Sequence, residues 1–127
     1  MTEPNWPKIR QALWVRSKGN CEISGIPLDA DAFDVHHRRP KGMGGTSKPD
    51  RDWLSNLLAL DPAIHNGGPR SVHGRRSWAE PRGYLLPKGT PWASLVPCLI
   101  LGRFWLMLGD DGQYHPAPYG GVVPVLG

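Results

Sequence analysis

Four of the five histidines in this 127-residue chain lie between residues 36 and 73, and their side chains are suited to two linked tasks. Histidine titrates near neutral pH, so it can take a proton from water, and its neutral nitrogen binds divalent metals. His36 and His37 are adjacent, and adjacent residues on a strand point to opposite sides. One imidazole of the pair can therefore bind a metal while the other faces a substrate. Asn56, His65 and His73 follow at intervals that can complete such a site.

The histidines lie in a basic part of the chain. Residues 36–82 hold nine Lys or Arg against four Asp or Glu, whereas the whole chain has a net charge of +4. A phosphate-rich partner favours such a segment because neutralising phosphates releases condensed counterions. Charge alone leaves a second interpretation open, which is a solvated surface loop.

Short elements must position these residues, since 16 Gly and 14 Pro predict a loop-rich fold. Residues 7–18 are predicted as a helix that begins near Pro7, and residues 32–36 as a short strand. The apolar run 54–60 is either a buried strand or two helical turns. Residues 71–80 predict a second helix with Ser71 as its N-cap.

The rest of the chain is predicted as loop and hairpin. Residues 41–53 hold three glycines and one proline and predict a long loop. Residues 99–108 are apolar and strand-like, and the Gly-Asp-Asp-Gly sequence at 109–112 is a turn signal. We expect a C-terminal β-hairpin that packs on the remainder.

Size and composition predict one domain over residues 1–127 in the cytoplasm. No apolar run approaches the roughly 20 residues of a membrane helix, and charges stand where a signal peptide has its apolar stretch. Cys21 and Cys98 are far apart in sequence, which disfavours a disulfide framework and favours reduced thiols.

The order of these residues resembles that of the HNH endonuclease family. The resemblance covers residues 21–86 and is carried by the segments CEISG, DVHHRRPKGMGG, SNLLALDPAIH and VHGRRSWAEPRGYLL. It is strongest to the small HNH proteins of tailed bacteriophages. It implies an α+β fold with a ββα-metal (His-Me finger) core, preceded by a helix and followed by a hairpin at about 99–117.

The resemblance also implies a role for each residue of the site. His37 takes the place of the general base, and Asn56 that of the residue whose side chain holds the loop bearing His37. His36 and His65 take the places of metal ligands. Relatives often carry a further ligand four residues after His65, where this chain has Pro69, and His73 is the nearest substitute. Phosphate contacts are expected from the neighbouring arginines Arg38, Arg39, Arg75 and Arg76.

The implied activity is hydrolysis of double-stranded DNA, in phage DNA processing or packaging, within the host cytoplasm and beside the terminase large subunit. Mg²⁺ or Mn²⁺ is the expected ion by family habit. All-histidine ligation also suits Zn²⁺, Ni²⁺ or Co²⁺, because Mg²⁺ prefers oxygen ligands.

The chain departs from the family in its cysteines. Many relatives bind a structural zinc through two CxxC pairs, but residues 21–24 here read Cys-Glu-Ile-Ser, and Asp61 and Ile64 stand in place of the second pair. We therefore predict no structural zinc. Two other functions remain open at this point: a degenerate HNH module that binds DNA or a terminase subunit without cleaving, and a structural zinc module, which the isolated cysteines disfavour.

Overall fold

The computed structural model describes residues 4–39, 49–67 and 71–117, and it has mixed α and β elements. The helices are α1 (Trp6–Ser17), α2 (Pro62–Asn66) and α3 (Arg76–Ala79), and the strands are β1 (Asp34–His37), β2 (Leu57–Leu60), β3 (Cys98–Ile100), β4 (Phe104–Leu108) and β5 (Tyr114–Pro116). The α+β class is thus confirmed. Among the described residues, no helix has the length and apolar character needed to cross a membrane.

Helix α1 agrees with its prediction to within one residue at each end. The side chain of Asn5 caps it by accepting a hydrogen bond from the Lys8 amide at 3.2 Å, and Pro7 lies in its first turn. The helix ends at Lys18, whose φ of 55° is left-handed. Its buried residue Leu13 packs with residues of β2.

Strands β1 and β2 pair antiparallel and bring the adjacent histidines to the centre of the molecule. His36 lies opposite Leu58, and His37 lies opposite Leu57. All four residues of β2 are buried, with alternate side chains in two separate apolar clusters. The run 54–60 was predicted as either a buried strand or two helical turns. It contains both kinds of structure, since a 3₁₀ turn (Leu54–Asn56) leads directly into strand β2.

The predicted C-terminal hairpin is a three-stranded antiparallel sheet in the order β3-β4-β5. The apolar run 99–108 does not form one strand, because Leu101 and Gly102 both have positive φ, at 55° and 66°, and reverse the chain. The turn predicted at 109–112 is confirmed by the hydrogen bond from the Gly109 amide to the Gln113 carbonyl.

The second predicted helix is also shorter than expected. Helix α3 covers only Arg76–Ala79, and Ser71 does not cap it. The hydroxyl of Ser71 accepts a hydrogen bond from the Gly74 amide inside a turn. The intervening amides of Val72 and His73 bind carbonyls of α2, so this backbone cannot continue a helix. Most of the loop predicted for residues 41–53 lies outside the described residues.

A buried ion pair ties the N-terminal helix to the last strand. Arg16 donates two hydrogen bonds to the carboxylate of Glu22, at 2.8 and 3.0 Å. The same carboxylate accepts from the Ala59 amide and from the Tyr114 hydroxyl, at 2.8 and 2.5 Å. Glu22 belongs to the segment CEISG, one of those that carry the resemblance described above. The Glu22 carboxylate accepts four hydrogen bonds and so joins the elements around it. Cys21, next to it in the sequence, is a buried, unpaired thiol.

Candidate metal centre

Three histidines from separate segments converge on one point. His36 comes from β1, His65 from α2, and His73 from the turn before α3. Nδ1 of His36 and Nε2 of His73 each lie 3.1 Å from Nε2 of His65, and the three nitrogens lie within 4.8 Å of one another. His36 is buried, His65 half-buried and His73 exposed, so the cluster is open to solvent on one side.

The outward-facing nitrogens of two of these rings are held by acceptors. Nε2 of His36 donates to the carbonyl oxygen of Tyr84 at 2.6 Å. Nδ1 of His65 donates to a carboxylate oxygen of Asp34 at 2.9 Å. In a neutral imidazole, one nitrogen carries the proton and the other the lone pair, so these bonds place the lone pairs on the nitrogens that face the centre. Partners of this kind orient metal-binding histidines and make them more basic.

The donor set fits a divalent metal. Burial lowers the pKa of His36 to about 3, against the opposing hydrogen bond to the Tyr84 carbonyl, so this ring is neutral at physiological pH. A divalent cation bound between Nδ1 of His36 and Nε2 of His65, which lie 3.1 Å apart, would interact favourably with the lone pairs of both nitrogens. Bonds of about 2.0–2.1 Å from one metal place two imidazole nitrogens roughly 3.0–3.4 Å apart. The two separations of 3.1 Å, from Nε2 of His65 to Nδ1 of His36 and to Nε2 of His73, fall in this range.

A backbone clamp brings His65 and His73 together despite their spacing of eight residues. Helix α2 begins at Pro62 with its N-cap Asp61, whose carboxylate accepts from the Ala63 amide at 3.1 Å. The amides of Val72 and His73 then donate to the carbonyls of Ile64 and His65, at 2.9 and 3.1 Å. The helix predicted for residues 71–80 would have carried His73, but His73 lies in a turn before α3. His65 lies on α2, and both residues join the cluster as expected.

His37 has a different set of neighbours from His36. Its Nε2 lies 2.9 Å from a carboxylate oxygen of Asp52, and its ring meets Trp6 edge-on with centroids 5.9 Å apart. Partial burial opposes ionisation of Asp52, but the hydrogen bond from His37 and the charge of Arg51 prevail and lower the pKa of this carboxyl. His37 is thus one residue from a candidate metal ligand and is paired with an anionic carboxylate.

Asn56 connects the two segments that carry this pair. Its side chain is fully buried, accepts from the Arg39 amide at 2.8 Å and donates to the Arg51 carbonyl at 2.8 Å. One bond anchors the chain just after His37, and the other anchors the turn that carries Asp52. In this geometry Asn56 joins the segment after His37 to the turn that carries Asp52.

The predicted phosphate contacts of Arg38 and Arg39 need correction. Arg38 is completely buried. Its guanidinium donates to four backbone carbonyls at 2.7–3.1 Å, those of Ser55, Gly83, Ala93 and Val96. Arg39 is also buried, and it binds the Asp50 carboxylate, the Thr90 hydroxyl and the Pro91 carbonyl. Both side chains hold the fold together, because their donors are used inside the protein.

Arg75 and Arg76 have the exposure that a phosphate contact needs. Both follow closely after His73 and lie at the surface. Arg76 forms an ion pair with Glu80 one helical turn away, at 2.8 Å. An exposed pair of this kind contributes little to stability and exchanges readily for another anion. Phosphate binding by these two residues stays a prediction.

Two aspartates of the site were missed by sequence reasoning. Asp34 has a readable signal, because it precedes His36 by two residues on a strand and shares its face. Asp52 has no such signal in the sequence, since it lies 15 residues after His37, within the segment predicted as a loop.

Replacing Asp34 with Ala is expected to weaken metal binding by about 10- to 100-fold, because His65 loses the acceptor that fixes its tautomer. Titration calorimetry with Co²⁺ measures the effect. Asp31→Ala, an exposed carboxylate just before β1, is the matched control and should bind as the wild type does. Equal affinity of Asp34→Ala and the control would contradict the assignment.

Compared with protein-family models, curated proteins and solved structures, the chain gives no significant match. The site is therefore characterised by its own geometry. That geometry is a three-histidine candidate metal centre with oriented rings, next to a histidine held by a carboxylate.

Proposed function

We propose that this chain is a metal-dependent endonuclease of the HNH type that hydrolyses phosphodiester bonds in double-stranded DNA. One observation carries the proposal. Three imidazole nitrogens converge, acceptors turn the lone pairs of His36 and His65 inward, and the residue next to His36 is a histidine paired with a carboxylate. This combination suits the hydrolysis of a phosphodiester, since a base can deprotonate water while the charge that builds up on phosphate is neutralised.

Each residue has a defined task in the proposed reaction. His37 accepts a proton from the water that attacks the scissile phosphorus. His36, His65 and His73 hold the metal, which when bound supplies positive charge to a non-bridging phosphate oxygen and to the leaving 3′ oxygen. Asn56 keeps His37 in place through the backbone of the next segment. The products are a 5′-phosphate and a 3′-hydroxyl.

The order of the elements supports a ββα-metal core. Strand β1 carries His36 and His37, β2 pairs with it, and α2 follows directly and carries His65. Two strands and a helix thus supply the base and two of the three ligands within 33 consecutive residues, 34–66. The C-terminal sheet packs outside this unit and contributes no ligand to the cluster.

The chemistry of the three ligands bears on the metal. Three imidazoles with no carboxylate favour Zn²⁺, Co²⁺ or Ni²⁺ in affinity over Mg²⁺, which prefers oxygen. Mg²⁺ or Mn²⁺ is proposed as the working ion because the open side of the cluster leaves room for water and phosphate oxygens to complete its coordination.

Incubation of the purified protein with supercoiled plasmid tests the proposal. We expect nicked and linear DNA with Mn²⁺ or Mg²⁺, no conversion with excess chelator, and 5′-phosphate ends in the product. His65→Ala should lose both metal binding and cleavage. If the wild-type protein binds the plasmid but leaves it intact with every divalent metal, a DNA-binding module replaces the nuclease.

A further inference from the structure

We infer that Asp52 is a positioning residue that fixes His37 in the tautomer with its proton on Nε2 and its lone pair on Nδ1. The inference rests on the proposed function, since it explains how His37 is prepared to act as a base. It also adds Asp52 to the site, a residue that the sequence pattern of histidines and Asn56 does not include.

The hydrogen bond itself defines the tautomer. Nε2 of His37 lies 2.9 Å from Oδ1 of Asp52, and a carboxylate oxygen can only accept. Nε2 must therefore carry the hydrogen, and in a neutral imidazole the lone pair then lies on Nδ1. The two side chains are only 11% and 19% exposed, so water competes little for the bond.

The carboxylate is held by a rigid turn. Asp52 ends the 3₁₀ turn Asp50–Asp52, in which the Trp53 amide donates to the Asp50 carbonyl at 3.0 Å. Asn56 binds the Arg51 carbonyl from one side. The buried carboxylate of Asp50 accepts from Arg39 and from the Ala93 amide, at 3.2 and 2.8 Å. The turn is thus fixed to the chain after β1 and to a distant loop.

The His37 imidazole also contacts an aromatic side chain. Trp6 of α1 meets the His37 ring edge-on, at an interplanar angle of 71°. Arg51 lies 3.4 Å from the second oxygen of Asp52 and lowers the pKa of its carboxyl, together with the His37 bond and against partial burial. Asp52 is therefore an anion that accepts a hydrogen bond from Nε2 of a confined ring.

The protein contains a second Asp–His pair that serves as an internal comparison. Asp34 binds His65, whose other nitrogen faces the metal cluster, whereas Asp52 binds His37, which is not part of that cluster. Loss of Asp34 should act on metal affinity. Loss of Asp52 should act on turnover and leave metal affinity unchanged.

Nitrogen-15 NMR of the histidine rings, at a pH where His37 is neutral, measures the tautomer directly. We expect the Nε2–H form of His37 in the wild-type protein and in Asp34→Ala, and a mixture of tautomers in Asp52→Ala. With a DNA oligonucleotide and Mn²⁺, Asp52→Ala should lower kcat by about tenfold or more, because the base is correctly oriented in fewer molecules, while KM and Co²⁺ affinity stay at wild-type values.

An Nδ1–H tautomer of His37 in the wild-type protein overturns the inference, and this measurement needs no variant to fold. An unchanged tautomer and kcat in Asp52→Ala overturn it as well. A fall in Co²⁺ affinity in Asp52→Ala would assign Asp52 to the metal cluster and also contradict it. Absence of cleavage by the wild-type protein refutes the proposed nuclease instead, and the tautomer measurement still decides what Asp52 does to His37.

Discussion

Replacing His37 with alanine is expected to lower the rate of DNA cleavage by about 10²- to 10⁴-fold, the usual contribution of a general base. The ring is the group that deprotonates water in the proposed reaction, and alanine has no group that can accept a proton in its place. The first-order rate of plasmid nicking at saturating Mn²⁺ measures the effect.

Two controls separate loss of chemistry from loss of structure in this variant. Co²⁺ affinity should be unchanged, because His37 is not among the three converging histidines. His115→Ala removes an exposed histidine of β5 that pairs with Asp111 and should leave the rate at the wild-type value. Wild-type turnover in His37→Ala would show that the proposed mechanism is wrong.

Replacing Arg38 with methionine is expected to lower the free energy of unfolding by at least about 3 kcal/mol, since buried acceptors that lose a charged donor cost about 1.5–3 kcal/mol each. Methionine keeps much of the side-chain length but donates no hydrogen bond. Four buried carbonyls, from the loops around residues 55, 83, 93 and 96, would lose their shared donor. This is a large share of the roughly 5–15 kcal/mol that stabilises a typical domain.

Chemical unfolding in urea, followed by tryptophan fluorescence, measures this effect. Arg76→Met is the matched control, because Arg76 is exposed and its pair with Glu80 is a surface ion pair. The control should unfold at the wild-type midpoint. If Arg38→Met also unfolds there, the guanidinium does not carry the structural role assigned to it, and its phosphate role would need to be reconsidered.

The sequence was sufficient for features that depend on local chemistry. Pro7 in the first turn predicted where α1 begins, and a proline in this role can be recognised without a structure. The members of the candidate metal cluster were also predicted, because the order of the histidines and Asn56 resembles that of the HNH endonuclease family.

Features that depend on distant contacts were missed. Arg38 and Arg39 were predicted to contact phosphate because they directly follow His37 in the sequence. Their burial follows from carbonyls and a carboxylate between residues 50 and 96, which no local pattern reveals. The run 99–108 was predicted as one strand because most of its residues are apolar. The structure has a turn at Gly102, whose positive φ is a conformation that only glycine adopts easily.

The backbone clamp between Ile64–His65 and Val72–His73 has a consequence for how such sites vary among proteins. It fixes the two ligands by pairing the chain on either side of residues 67–70, so their separation along the chain is independent of their separation in space. A continuous helix would require two histidines four positions apart, with no tolerance for insertion. Backbone hydrogen bonds between the two segments remove that requirement, so a search pattern with fixed intervals overlooks proteins built this way.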